Sequence, residues 1–457
     1  MVALNYGRID AIPADSMNRV TESGLVRGIG RWDFLGFAIN ASIGAGIFGL
    51  PGRIYALTGM YSLLAFFVSA ALMILIILCF VEVAGRFRET GGPYLYARET
   101  FGPFVGFQVG WLLWLTRMAG FAAISHLFVN YVGYFWPAAS SGATRISIIA
   151  ALVVGLTTIN YIGVRPAALA SDFFTVAKVI PLLLFVGVGV FFIDKQRLSF
   201  GAPPDYGSFF DAVLLLVFMF MGFEGTLIPS GEIEDPERTI PFSLLGAVAG
   251  VALLCTAIQV VCIGTLPTLA DSERPLTDAG RIFLGGTGAS VITTGALLSM
   301  LGILHLSALA TPRLPFAMAE RGQLPQILSR THSRFHTPHV ALLLTAAMIL
   351  GITLSGTFIY AVTISVIIRL IVYAITCAAL PVLRRRSDKR DTGFTVPGGT
   401  LVSITSFILC ILLISNSGWR EARDAGIAVV AGFVLYFAYR LRARESLRSV
   451  GKKTIDD

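Results

Sequence analysis

The stretch Phe37-Ala-Ile-Asn-Ala-Ser-Ile-Gly-Ala-Gly-Ile-Phe-Gly-Leu-Pro51 places glycines in the middle of a long apolar segment. A second apolar segment is interrupted in the same way, at Phe218-Met-Phe-Met-Gly-Phe-Glu-Gly-Thr-Leu-Ile-Pro229. Glycine and proline weaken a helix, and within a bilayer every freed backbone N–H and C=O group needs a partner. Unwound backbone is therefore tolerated there only where it is buried in protein or lines a cavity. Two such breaks in corresponding halves of a chain indicate the binding site of a transporter.

The composition places these segments in a membrane. Of the 457 residues, 55% are hydrophobic and only 14% are charged, whereas about a quarter of the residues of a soluble domain are charged. The apolar residues form runs long enough to cross a hydrocarbon core of about 30 Å. The five cysteines all lie in these runs without metal-ligand spacing. We therefore expect a polytopic membrane protein without a disulfide, metal site or other cofactor.

The net charge of +8 follows the predicted topology. Lysine and arginine concentrate in the segments predicted to be cytoplasmic, including the cluster at 384–386 and the basic C-terminal tail. This asymmetry is the positive-inside signal, so it predicts contact with the lipid bilayer and no nucleic-acid surface. We expect a multi-pass protein of the plasma membrane, or of the inner membrane in a Gram-negative cell, with both termini cytoplasmic.

The predicted fold is an all-α membrane protein with twelve transmembrane helices. Residues 1–31 form a cytoplasmic N-terminal tail, 32–441 the transmembrane domain, and 442–457 a basic cytoplasmic tail. No short apolar segment with a cleavage site precedes the first helix, so we expect no secretory signal. The sequence does not indicate an oligomeric state.

The two broken segments are the first and sixth predicted helices, five helices apart. An odd offset inverts the second copy of a repeat in the membrane, and Gly46 and Gly225 are expected at comparable depth. This arrangement predicts a 5+5 inverted repeat. Repeat one covers about 34–193, repeat two about 209–382, and two extra helices follow at about 399–441.

The first break offers hydrogen-bond donors. Gly44, Ala45 and Gly46 are expected to be non-helical, so the outer half-helix begins near Ile47 with free N–H groups. Such a helix N-terminus, with the positive end of the helix dipole, is suited to a carboxylate.

Carbonyl groups at both breaks offer the complementary acceptors. The inner half-helix is expected to end near Ser42 and Ile43, and the second break exposes carbonyls near Phe218 and Met221. Carbonyl oxygens suit an ammonium group, so the two breaks together fit a zwitterionic amino acid. The alternative is that the glycines only allow helices to pack closely.

Several short motifs occur in order along essentially the whole chain. They are SIGAGIFGLP at 42–51, EVAGRFRETGGPYLY at 82–96 with FGP at 101–103 and GW at 110–111, GFE at 222–224 with GEIEDPERTIP at 231–241, and AMAERGQLP at 317–325 preceded by Arg313.

With these motifs the chain resembles the amino acid–polyamine–organocation transporters, which share the LeuT-type inverted-repeat fold. The resemblance implies that Ala45 and Gly46 bind the substrate carboxylate. It implies that the carbonyls of Ser42, Phe218 and Met221 bind the amino group, and that the Phe218 ring closes over the substrate as a gate.

The same resemblance extends the second part of the site. Phe223 and Glu224 belong to the GFE motif, and we include both among the predicted substrate-binding residues. Relatives often carry an acid at the position of Glu224, so this residue does not indicate a cationic substrate. It is expected to link helices by hydrogen bonds.

Lys178 is a candidate for proton coupling. A cation within a membrane span is costly and marks a functional site unless its long side chain reaches the interface. Some members of the resembled family carry a lysine here where sodium-coupled relatives bind a cation. Burial lowers the pKa of a lysine, so this resemblance predicts that Lys178 carries protons.

The side-chain pocket is predicted from the third and eighth helices. By resemblance, Phe121 and Ile124 occupy its wall where arginine-exchanging relatives are often polar, and Ser307 stands where they have a large aromatic residue. These differences favour a neutral side chain. Arg117 and Arg369 are expected to pair with acids or with carbonyl groups. The available buried acids are Glu82 and Glu224, and the sequence does not choose between them.

The chain is therefore predicted to be a secondary active transporter that moves an amino acid with a neutral side chain by alternating access, coupled to protons. An amino acid or amine exchanger without net proton coupling is the alternative. A scaffold or accessory subunit is a more distant alternative, since it needs no unwound helices. An enzyme is disfavoured because no nucleophile, carboxylate pair or metal-ligand cluster is evident, and a channel because the breaks suggest an enclosed site.

Overall fold

The structure is a computed structural model of the whole chain. It describes residues 30–87, 91–162, 179–227, 233–335, 337–386 and 394–456. Helices and connecting loops make up this part of the chain, with no β-strand among the described residues.

The first half of the chain contains seven α-helices within the described residues. α1 and α2 are the two halves of the first broken segment, and α4 is a short helix before the central α5. They are α1 (Arg31–Ser42), α2 (Gly46–Thr58), α3 (Ser62–Ala84), α4 (Gly92–Phe101), α5 (Pro103–Val132), α6 (Gly142–Ile162) and α7 (Val179–Phe192).

The second half begins with the second broken segment. α8 continues through a 3₁₀ turn at Phe218–Phe220, and α9 follows after Gly222. The helices described there are α8 (Tyr206–Val217), α9 (Phe223–Thr226), α10 (Pro236–Thr265), α11 (Pro275–Ala310), α12 (Arg313–Glu320), α13 (His339–Ser355), α14 (Phe358–Arg385), α15 (Gly399–Ser415) and α16 (Trp419–Asp456).

Eight helical segments of the described chain are long and apolar enough to cross a membrane, and three shorter apolar helices accompany them. One of the eight, Gly46–Ala84, contains both α2 and α3, which a 3₁₀ turn at Gly59–Tyr61 separates. The protein is therefore a multi-pass, all-helical membrane protein, as predicted. The count of twelve helices and the repeat boundaries stay predictions.

The centre of the molecule is formed by α5 and α14, which pack against each other along much of their length. The Thr116 hydroxyl on α5 donates to the carbonyl oxygen of Ser365 on α14 at 2.7 Å. The hydroxyls of the two residues lie 3.0 Å apart. α6 and α16 instead carry many exposed apolar side chains, as expected of surfaces that face lipid.

The two breaks touch each other. A β-carbon at Gly46 would lie 2.8 Å from Cγ of Met219, and a β-carbon at Gly222 would overlap the carbonyl oxygen of Ala41. Only glycine fits these approaches, and Gly222 also has a positive φ of 115°. Since Ala41 faces Gly222 while Gly46 faces Met219, the two broken segments run antiparallel where they meet.

The second break lies earlier in the chain than its glycines alone indicated. Gly225, which was expected at the depth of Gly46, lies inside α9. The unwound residues are Met221, with extended backbone, and Gly222. The close approach to Ala41 requires a glycine at position 222, whereas nothing lies within 4 Å of the β-carbon position of Gly225.

Candidate functional site

A cavity of about 510 Å³ lies where the two breaks meet α5, α11 and α14. Its wall is largely apolar, with a few polar and charged side chains, as is usual for small-molecule sites. The lining residues are Phe37, Asn40, Ala41, Gly44, Ala45, Arg117, Gly120, Phe121, Ile124, Phe218, Met221, Gly222, Glu224, Gly225, Thr226, Ser299, Gly302, Ile303, Leu306, Ser307, Leu309, Ala310, Thr311, Ser365 and Arg369.

Each helix contributes one face to this cavity. The lining residues of α5 are Arg117, Gly120, Phe121 and Ile124, which have the spacing i, i+3, i+4, i+7 of a single helical face. The same spacing recurs on α1 and along α11. The cavity is therefore bounded by regular helices on most sides and by unwound backbone at the two breaks.

The first break leaves backbone donors unused. α1 ends at Ser42, as predicted, and α2 begins at Gly46, one residue before the predicted start near Ile47. Phe48 donates its N–H to the carbonyl of Ala45 at 3.1 Å, but the N–H groups of Ala45, Gly46 and Ile47 donate to no backbone carbonyl of the described chain. These three groups, at the start of α2, are available to an anion.

The second break supplies acceptors and an aromatic ring. Met221 donates its N–H to the carbonyl of Phe218 at 3.5 Å, and no described backbone N–H donates to the carbonyl of Met221 itself. The Phe218 ring lies close enough to Gly46 that a β-carbon there would be 3.2 Å from it. The ring that the resemblance identified as a gate therefore lies beside the first break.

Glu224 is held by three donors at the cavity wall. Its Oε1 lies 2.7 Å from a guanidinium nitrogen of Arg369. Its Oε2 accepts from the N–H of Gly222 at 3.1 Å and from the hydroxyl of Tyr373 at 3.0 Å. The partner of Arg369 is thus Glu224, and the ion pair links the second break to α14.

Glu82 has different partners. The Arg384 guanidinium donates to both of its oxygens, at 2.7 and 2.6 Å, and Arg86 donates to Oε1 at 3.2 Å. The N–H of Val396 donates to Oε2 at 2.9 Å. This carboxylate joins α3, the end of α14 and the segment before α15, and it does not line the cavity.

Arg117 has no such partner. It is half-buried on the cavity wall, and within the described residues its side chain makes no hydrogen bond and no ion pair. Among the described residues Arg117 is attracted to Glu224 over a longer distance but forms no close ion pair with Glu224 or Glu82. The cavity wall therefore carries one more positive than negative charge among the described residues.

The cavity extends from the breaks toward the end of the molecule at which α1 begins. On α1 its lining runs back to Phe37, and on α11 it runs forward to Thr311, close to the end of that helix. The other side of the breaks is closed by packing. The Tyr131 hydroxyl donates to the carbonyl of Phe48 at 2.8 Å, and Phe358 lies against Gly49.

Most of the predicted site residues lie together. Those that line the cavity are Gly44, Ala45, Phe121, Ile124, Phe218, Met221, Glu224 and Ser307. Ser42, Ile43, Gly46 and Phe223 are buried beside it without lining it, so a role for them would act through the backbone or through packing. Lys178 lies outside the described residues.

Several wall residues were not predicted. Asn40 and Ala41 lie on α1 next to the predicted break, and Ser299 on α11 is buried with a hydroxyl that has no hydrogen-bond partner. The helical spacing could have identified them, because Phe37, Asn40, Ala41 and Gly44 share one face. Applied to Phe121 and Ile124, the same spacing selects Arg117.

The comparisons with known proteins identify a family for the chain. A profile described as amino acid permease matches residues 29–435 of the chain. This range includes both breaks and every residue that lines the cavity.

Three characterised bacterial proteins are similar over nearly their whole length. A branched-chain amino acid permease of Bacillus subtilis (strain 168) is 25% identical, over 92% of this chain and 94% of its own. A serine/threonine exchanger of the same organism is 26% identical, over 92% and 98%. A methylthioribose transporter, also from that organism, is 26% identical, over 93% and 96%.

Proposed function

The chain belongs to the amino acid permease family, and we propose that it carries an amino acid across the membrane through the cavity between its two broken helices. It is a transporter and not an enzyme, because the named relatives are a permease and an exchanger. The observation that carries the proposal is the contact of the two breaks at one cavity. Backbone donors and backbone acceptors for a zwitterion face each other there.

The zwitterion is bound by the backbone. The α-carboxylate accepts hydrogen bonds from the N–H groups of Ala45, Gly46 and Ile47, where the positive end of the α2 dipole adds to the attraction. The ammonium donates to the carbonyls of Met221, Phe218 and Ser42. The Phe218 ring covers the substrate when the site closes.

The substrate side chain is directed at α5 and α11. Phe121 and Ile124 present apolar surface there, which supports the prediction of a neutral side chain. A cationic side chain is disfavoured because Arg117 lies on the same wall without a carboxylate partner in the described chain, and like charges repel at close range.

Transport proceeds by alternating access. The cavity opens toward the end at which α1 begins, and packing around Tyr131, Phe48 and Phe358 closes the opposite end. With both termini in the cytoplasm of a plasma membrane, as the charge bias predicts, this state faces the cytoplasm. The outward-facing state requires the packing on the far side of the breaks to open.

We propose that Lys178 couples this cycle to protons. Its position in an apolar segment supports the role, because a buried lysine releases its proton more readily than an exposed one. The proposal is independent of the cavity geometry, since Lys178 lies outside the described residues.

One reconstitution experiment tests both proposals. Purified protein in liposomes is expected to take up radiolabelled amino acids, and an inward proton gradient is expected to accelerate the uptake severalfold. The Lys178→Ala variant should lose the acceleration while Arg53→Gln, which removes an exposed charge away from the cavity, keeps it. Absence of uptake of all twenty amino acids would refute the transport proposal. Full acceleration in Lys178→Ala would refute the coupling proposal alone.

The similarity to a serine/threonine exchanger favours one alternative, an exchanger without net proton movement. The same liposomes distinguish it. Uptake that occurs only when the liposomes are preloaded with an amino acid, and that ignores the proton gradient, would identify exchange.

A further inference from the structure

Arg117 is a half-buried cation on the cavity wall that the proposed transport mechanism does not yet use. Its side chain faces the cavity on α5, one turn from Phe121 toward the open end. Removing a guanidinium from water costs free energy unless hydrogen bonds and an opposite charge compensate for it. Among the described residues Arg117 has neither a hydrogen bond nor an ion pair.

Glu224, the acid on the same wall, already has hydrogen-bond and ion-pair partners. Its two oxygens accept from Arg369, from the N–H of Gly222 and from the Tyr373 hydroxyl. The Glu224–Arg369 pair is neutral as a unit, so the attraction between Arg117 and Glu224 is opposed by repulsion between Arg117 and Arg369. A ligand that brings a negative charge to Arg117 would balance the wall.

Polar groups on α11 lie close to the depth of Arg117, on the side of the open end. The Tyr134 hydroxyl donates to the carbonyl of Gly286 at 3.3 Å, which aligns the far ends of α5 and α11. Both helices then descend by about 1.5 Å per residue, which places Arg117 roughly level with Ile303 and Ser307 about one turn nearer the open end. The Ser307 and Thr311 hydroxyls lie 3.3 Å apart on this part of the wall.

A second observation indicates that the wall is built for a polar ligand. Ser299 is 1% exposed, lines the cavity and has a hydroxyl with no hydrogen-bond partner in the structure. A buried hydroxyl without a hydrogen-bond partner costs free energy. A polar group of a bound ligand would supply the missing partner. By the same alignment Ser299 lies about level with Phe121, one turn above Arg117.

We propose that Arg117 binds a carboxylate of the transported substrate, at a subsite that is separate from the amide groups of Ala45, Gly46 and Ile47. The inference rests on the proposed function and adds a second anion position on α5, one helical turn from Phe121 toward the open end of the cavity. A guanidinium binds a carboxylate by charge-assisted hydrogen bonds in a planar, two-pronged geometry.

This carboxylate has two possible sources. It is the side chain of an acidic amino acid whose α-carboxylate occupies the first break, in which case the substrate side chain is acidic and not neutral as proposed above, or it is the α-carboxylate of any amino acid on its way between the break and the open end. The chemistry at Arg117 is the same for both, and suitable ligands separate them.

The test compares ligand binding by purified wild-type protein and by Arg117→Gln, Arg117→Lys and Arg53→Gln. The probes are the twenty L-amino acids, including the pair L-glutamate and L-glutamine, together with L-leucinamide, which lacks a carboxylate. Affinity is measured from the ligand-dependent rise in melting temperature. Arg117→Gln retains the Glu224–Arg369 pair, so we expect it to fold.

We expect Arg117→Gln to weaken binding of carboxylate ligands by about tenfold or more, with Arg117→Lys in between and Arg53→Gln unchanged. A loss confined to L-glutamate and L-aspartate identifies the side chain as the source. A loss for every amino acid that binds, with L-leucinamide unaffected, identifies the α-carboxylate.

Unchanged affinities in Arg117→Gln would overturn the proposal. An equal loss of affinity for L-leucinamide would also overturn it, since either result means that Arg117 does not bind a carboxylate. If wild-type protein binds none of the twenty amino acids, the proposed function fails together with the subsite. If wild-type protein binds amino acids and the Arg117 variants bind them with the same affinity, only the subsite proposal fails.

Discussion

Glu82 and Glu224 are both buried carboxylates held by guanidinium groups of α14, but their surroundings differ. Glu82 lies in the regular helix α3, and its partners Arg384 and Arg86 have side chains that are 26% and 17% exposed. Glu224 lies in the four-residue helix α9 beside the second break, and the side chain of its partner Arg369 is 9% exposed.

The difference indicates a structural role for the Glu82 cluster and a role in transport for the Glu224 pair. The Glu82 cluster joins α3, α14 and the segment before α15 away from the cavity, where water can reach its arginines. The Glu224 pair faces the cavity and depends on backbone that is unwound. The same substitution, glutamate to glutamine, should therefore reduce mainly stability at Glu82. At Glu224 it should reduce both stability and transport.

The largest effect is expected for Glu224→Gln. The variant leaves the Arg369 charge buried without a counter-charge, which typically costs about 3–5 kcal/mol, and transport should be lost. Denaturant unfolding and liposome uptake measure the two effects. Tyr373→Phe is the matched control, because it removes one hydrogen bond of the same carboxylate and should cost about 1 kcal/mol. Equal costs for the two variants would contradict the importance of the charge pair.

Gly222→Ala should have the next largest effect. The new β-carbon would overlap the Ala41 carbonyl, and alanine disfavours the φ of 115°. A loss of about 2–3 kcal/mol in unfolding free energy is expected, with uptake reduced at least as strongly because the two breaks move apart. Gly250→Ala, which meets no atom within 4 Å in α10, should leave both quantities within about 0.5 kcal/mol and twofold of wild type. If Gly222→Ala behaved like this control, the close contact would not matter.

Glu82→Gln should be the mildest of the three. Arg384 and Arg86 can turn to water when the charge is removed, so we expect a loss of about 1–2 kcal/mol. The KM for uptake should stay unchanged in the protein that remains folded. A changed KM with little loss of stability would reverse the comparison and give Glu82 a role in the transport cycle.

Much of this arrangement could be predicted from the sequence. The first break was located correctly, because the glycines in 44–49 interrupt an otherwise apolar run and leave only one place for the helix to end. The predicted position of the second break was too close to Gly225, because two glycines, Gly222 and Gly225, lie close together there. Only the position of the Ala41 carbonyl in space selects Gly222 as the one that cannot carry a side chain.

The charge partners could not be predicted for a different reason. Arg369 and Glu224 are far apart in the chain, and the sequence contains two candidate acids for two buried arginines. The fold pairs Arg369 with Glu224 and gives Glu82 to Arg384, which the sequence had placed in a cytoplasmic cluster. Arg117 is thereby left on the wall, and no pattern in the sequence indicates that an arginine lacks a partner.

The one-sided opening of the cavity has a pharmacological consequence. If transport proceeds by the proposed alternating access, a substrate must fit within walls that later close around it, but a molecule that only needs to enter from the open end is not subject to that size limit. An amino acid derivative with a bulky extension directed along α11 toward Thr311 would fill the opening and hold the helices apart. Such a compound would act as a non-transported inhibitor, and it would be effective only when applied from the side at which α1 begins.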